Sequence, residues 1–131
     1  MQTYAEFYQS VQLPPFAPPS WAFGLAWGII YPLIGIAGVY LLYLTVKKRV
    51  PAYLIVLFAL NLAANLLFTP IQLGLKPLWP ASLDILIILG TLIALEITLW
   101  RYSRLIFWLL VPYLLWGAFA TLLQLTITFT N

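Results

Sequence analysis

Three groups of side chains in this sequence have the types and the spacing to do something specific. Phe23, Trp27 and Tyr31 follow one another at i, i+4 and i+8, which on a helix makes a continuous aromatic wall. Asn61, Asn65, Phe68 and Gln72 fall within about a 60° sector of a helix, and Tyr113, Trp116, Ala120 and Gln124 within about 80°. Indoles, phenols and carboxamides gathered in this way can line a ligand cavity. The same amides serve equally well as hydrogen-bond links between helices, and the two uses can coexist. The stripe on Tyr113 and Trp116 also suits plain packing, although Gln124 needs a partner and the small Ala120 leaves room beside Trp116.

Other chemistry is excluded. The chain has no histidine and no cysteine, so the usual general base, the commonest metal ligand and thiol reactivity are all missing. Asp84 and Glu96 lie about 120° apart around a helix, so they are not an acid–base pair. Asp84 suits either a helix start or the rim of a ligand site. Glu96, five residues before Arg101, is expected to snorkel into an ion pair near the membrane surface. No phosphate loop or nucleophile–base arrangement can be assembled, and we expect no metal site and no bound cofactor.

The elements that position these residues follow from composition. Of 131 residues 64% are apolar and only 7% charged, against about a quarter in a soluble domain. Long uncharged runs separate a Lys47-Lys48-Arg49 cluster from an Arg101–Arg104 pair. A membrane span needs roughly 20 apolar residues. The pattern predicts an all-α membrane protein, a four-helix bundle with spans at about 21–46, 52–73, 81–101 and 104–129. Five of the six basic residues then share one side, which the positive-inside rule makes cytoplasmic, with both termini on the other. The net charge of +3 carries topology information, and no nucleic-acid partner is expected. MQTYAEFYQS lacks a basic start, so no signal peptide is expected to be cleaved.

Residues 1–20 are expected as a stiff extended lead-in, because Pro14, Pro15, Pro18 and Pro19 fix φ and remove donors. Ser20 then offers an N-cap. This loop should pack over the mouth of the first span, with the binding site beneath. Gly24, Gly28, Gly35 and Gly38 share about an 80° sector, which suits close internal packing or a homodimer contact.

At this level of detail the chain resembles the translocator protein or tryptophan-rich sensory protein family (TspO/MBR). The proline lead-in from Phe7 to Pro19, then Phe23, Gly24, Trp27 and Tyr31, is similar to the family's first loop and following helix. Asn61 and Asn65 match its Q/NxxxN, Asp84 its aspartate, and Pro112, Tyr113, Trp116, Phe119 and Ala120 its PYxxWxxFA. The family usually has five spans, so the resemblance is to the last four, and a neighbouring subunit or lipid would supply the missing wall. Leu13, Phe16 and Gln124 replace the family's lysine, tryptophan and asparagine.

The resemblance implies a porphyrin-type tetrapyrrole, or another flat apolar ligand, bound between the loop and the helices for sensing, transport or light-dependent breakdown. Trp27 and Trp116 match the two tryptophans implicated in that breakdown. Trp79, Lys76 and Asp84 would form a rim, with Lys76 available for a propionate. Residues 99–104 fit a loose sterol pattern. Lipid, a homodimer partner and a prokaryotic cytoplasmic membrane complete the expectation. The rival readings are a small four-helix exporter, which would need a carboxylate in its first span, and a non-catalytic structural or regulatory membrane subunit.

Overall fold

The computed structural model describes residues 4–74 and 77–131. Four helices in it are long and apolar enough to cross a membrane: α2 (Trp21–Val46), α3 (Tyr53–Gly74), α4 (Trp79–Tyr102) and α5 (Arg104–Thr130). Among the described residues there is no strand. Every backbone donor inside a bilayer must be satisfied within its own segment, and a helix does this.

A short helix, α1 (Tyr4–Ser10), precedes them and corrects the expectation of an extended lead-in over 1–20. The prolines that forbid helix begin only at Pro14, so nothing in YAEFYQS resists about two turns. Ser10 Oγ closes it by donating to the Phe7 carbonyl at 2.8 Å. Ser20 precedes α2 but makes no side-chain cap bond. The turn there is held by Ala22 N donating to the Pro19 carbonyl at 3.0 Å. At the other end of α2, Lys48 takes a left-handed conformation (φ 57°) while Arg49 N donates back to the Leu44 carbonyl at 2.9 Å. That is a Schellman stop with lysine where glycine is usual.

α4 starts two residues before the expected Ala81, because Pro80 is well suited to a first helical turn. Ser103 alone separates α4 from α5. Its N–H ends α4 on the Leu99 carbonyl, and its Oγ accepts from Ile106 N at 3.3 Å to start α5.

α4 packs along both α3 and α5, whereas α2 rests mainly on α5 and less on α3. The apolar window of α4 is accordingly 44% buried and that of α2 only 28%, so α2 is the helix most open to lipid. The deep core lies toward the KKR end, where Leu41, Leu54, Leu92, Leu99, Ile106 and Leu110 are fully buried. A second cluster (Phe7, Phe23, Leu73, Leu123 and Ile127) lies at the opposite end, with Tyr8, Val11 and Leu13 of the lead-in packed against it. There Gln12 N donates to Asn131 Oδ1 at 2.8 Å, which ties the lead-in to the end of α5.

Candidate binding cavity

A thread of hydrogen bonds crosses the bundle. Tyr31 on α2 donates its hydroxyl to Asn65 Oδ1 on α3 at 2.6 Å. Asn65 Nδ2 donates to the Tyr113 hydroxyl oxygen on α5 at 2.9 Å, and Tyr113 donates in turn to Asn61 Oδ1 at 2.9 Å. Asn61 Nδ2 finishes on α4, at 2.9 Å from both the Ile88 carbonyl and Thr91 Oγ1. All four spans are joined by five polar side chains. Interhelical bonds of this kind average about 0.6 kcal/mol each. Breaking one while its partner stays buried costs more.

Nearer the lead-in, a second set links three of the spans. Gln72 Nε2 donates to Gln124 Oε1 at 2.6 Å, Gln124 Nε2 to Thr128 Oγ1 at 3.2 Å, and Ser82 Oγ lies 2.5 Å from the same threonine oxygen.

Beside the first thread is a cavity of about 120 Å³. Phe23, Trp27 and Tyr31 of α2 form one wall, and Asn65, Phe68 and Thr69 of α3 a second. Ile85 and Ile88 of α4 close the third side, and Tyr113, Trp116, Gly117 and Ala120 of α5 the fourth. The aromatic rings touch edge-on or tilted: Trp27 and Tyr31 centroids are 5.1 Å apart, Trp27 and Tyr113 6.2 Å, Phe23 and Trp116 5.6 Å. Tyr8 packs against the far side of Phe23 at 5.8 Å, so the lead-in roofs the aromatic end. The indole N–H of Trp116 is buried without a hydrogen-bond partner. A buried donor left unpaired costs about 1–3 kcal/mol unless a ligand acceptor meets it.

Of the residues singled out from sequence, Phe23, Trp27, Tyr31, Asn65, Phe68, Tyr113, Trp116 and Ala120 share this cavity. Asn61 stands one turn behind Asn65 and is consumed by Tyr113 and α4. Gln124 belongs to the second polar set. Trp79 is 64% exposed at the start of α4, away from the lining. Asp84 is buried with its Oδ2 unpartnered and does not line the void. Lys76 falls outside the described residues. Thr69, Ile85, Ile88 and Gly117 complete the walls without having been singled out. Thr69 stands one turn from Asn65 and could have been found by extending the amide face, but the isoleucines carry no sequence signal.

One further expectation is corrected, and for three of the α2 glycines one of two readings, internal packing, is removed. Glu96 makes no ion pair among the described residues: both its carboxylate oxygens are buried there without a partner. Five residues is about 140° of helical rotation, so Arg101 points away from it. Gly24, Gly28 and Gly35 make no close internal contact, since a Cβ on any of them would meet nothing within 4 Å. Only Gly38 admits a close neighbour, the ring of Phe58.

Four apolar spans around a largely aromatic void define a helical integral membrane protein with an internal cavity. The TspO/MBR family model matches residues 1–130, and the chain belongs to that family. It is 36% identical to the uncharacterized membrane protein YtaB of Bacillus subtilis, over 96% of this chain and 81% of the relative. It is 33% identical to the tryptophan-rich protein TspO of Bacillus cereus (95% and 80% covered). With the human translocator protein the identity is 34% (90% and 70% covered).

Proposed function

We propose that this chain binds a flat hydrophobic guest of the tetrapyrrole class in the cavity between its four spans, in the service of sensing or transport. The observation that carries the reading is the Trp116 indole N–H, buried and unpaired on the wall of an otherwise aromatic void. A planar macrocycle supplies both a π-face for Trp27 and Phe23 and acceptors for that donor. The names of the relatives, a tryptophan-rich TspO and a translocator protein, are in keeping with it.

At about 120 Å³ the void is smaller than the roughly 300 Å³ at the low end of small-molecule sites. Uptake of a macrocycle therefore requires the walls to part. The test is a tryptophan-fluorescence titration with protoporphyrin IX in detergent, run beside Trp27→Phe and Trp116→Phe. Saturable quenching that weakens in both variants supports the site. Quenching that never saturates, or that both variants leave intact, rejects it. Illuminating the complex then separates binding from breakdown, since a pure binder returns the pigment unchanged.

A further inference from the structure

The cavity has one weak side. Most of its lining is buried, but Tyr31 is 39% exposed, and Thr69, one turn from Tyr31's partner Asn65, is half-buried. Both flank the seam between α2 and α3, the pair of neighbouring spans with the least packing. Trp116 is half-buried too, on the α2–α5 side, but there α2 packs more extensively on its neighbour.

The two halves of α2 are held differently. In the half nearer the KKR cluster, the Phe58 ring sits against Gly38 so tightly that an added Cβ would stand 2.9 Å from it. From there towards the lead-in the packing opens: Gly35, just past Pro32, and Gly28 and Gly24 before it have nothing within 4 Å of where a Cβ would be. A side-chain hydrogen bond, Tyr31 to Asn65, crosses the seam. Pro32 follows Tyr31 directly and has no N–H, so the helix lacks a backbone bond where the two halves meet. The end of the bundle is better closed, by the lead-in packed on Phe23 and tied to Asn131. An apolar guest dissolves in the bilayer and reaches the seam from lipid.

Given the binding site argued above, the geometry points to a lateral gate: the Trp21–Tyr31 segment of α2 swings at Pro32 and admits the guest from the bilayer between α2 and α3, with the Tyr31–Asn65 hydrogen bond as its latch. The door then lies at the seam and not between the lead-in and the end of α5.

Since the chain contains no cysteine, the gate can be locked with a reducible bis-thiol linker in proteoliposomes, reading entry of protoporphyrin IX by stopped-flow tryptophan quenching. One lock joins Gly28→Cys, a turn from Tyr31, to Leu66→Cys, beside Asn65; neither residue lines the cavity. The other joins Gln12→Cys to Asn131→Cys and fastens the roof. The seam lock is expected to slow entry by about tenfold or more, and to trap guest loaded before linking. Reduction should restore both rates, and the roof lock should leave entry unchanged. Unimpeded entry through a locked seam, or entry blocked by the roof lock instead, overturns the gate. A chain that never quenches in any form overturns the binding reading itself. On the unmodified chain, amide exchange should be faster over residues 22–31 than over 33–46, and equal exchange removes the hinge.

Discussion

Gly38 of α2 and Phe58 of α3 meet without room for a methyl group: a Cβ on Gly38 would lie 2.9 Å from Cε1 of the buried Phe58 ring and 3.0 Å from Cζ. The ring belongs to the same buried cluster as Leu54 and Leu41, so its displacement is a change in the packed core. Gly38→Ala is therefore expected to destabilise the bundle by about 1–3 kcal/mol, as overpacking does. Gly35→Ala, where a Cβ meets nothing within 4 Å, should be neutral. Thermal unfolding in one detergent would rank the two, and equal midpoints would show that α2 and α3 separate freely at this level.

Tyr113 is the hub of the polar thread, 1% exposed and bonded to both Asn65 and Asn61. Tyr113→Phe leaves one amide donor and one amide oxygen buried without partners, each costing about 1–3 kcal/mol. Tyr31→Phe removes one bond from the half-open seam and should cost less, nearer 1 kcal/mol. Unfolding in a denaturing detergent series tests the order. If Tyr31→Phe proves the more damaging, the thread is organised from α2 and not from α5.

Much of this fold was legible because a membrane makes the sequence speak plainly. Long uncharged runs fixed four spans, and amides recurring on one face of α3 had to point inward. Depth within the bundle was not legible. Asn61 and Asn65 occupy the same sector of α3, yet only Asn65 reaches the cavity, because Tyr113 comes between. Helical spacing fixes direction around an axis but not which neighbour arrives first. The glycines show the same limit: four share a sector, and only the one opposite Phe58 is used for close packing. Glu96 was misjudged for a different reason. Proximity in sequence to Arg101 suggested a pair, while the rotation between them sends the two side chains to opposite environments.

Iron offers this site little. The sequence has no histidine or cysteine, and the two phenols on the cavity wall, Tyr31 and Tyr113, already spend their hydroxyls on Asn65 and Asn61. Haem would lack its usual axial ligands or would have to break the thread to gain one. Protoporphyrin IX is expected to bind about tenfold more tightly than haem. Parallel quenching titrations measure the ratio. Equal affinities, or a haem spectrum showing phenolate ligation, would mean that the thread yields to the metal.

Glu96 poses the sharpest energetic question in the fold. It is 3% exposed on a membrane span, and neither oxygen has a partner among the described residues. Glu96 lies six residues before the end of α4, so the about 2.5–3.5 kcal/mol that insertion scales give an acid at a helix centre is its upper bound. Its neighbours on α4, Leu92, Leu95 and Leu99, are all fully buried and offer no hydrogen bond from their side chains. Glu96→Leu should then stabilise the bundle by about 1 kcal/mol or more. Glu96→Gln should gain less, because the amide brings donors that are equally unpaired. Chemical unfolding of both variants beside the parent gives the answer. A loss of stability in Glu96→Leu would mean that the carboxyl is held by a bound water or ion, and that its place in the core is a second polar site and not a burden.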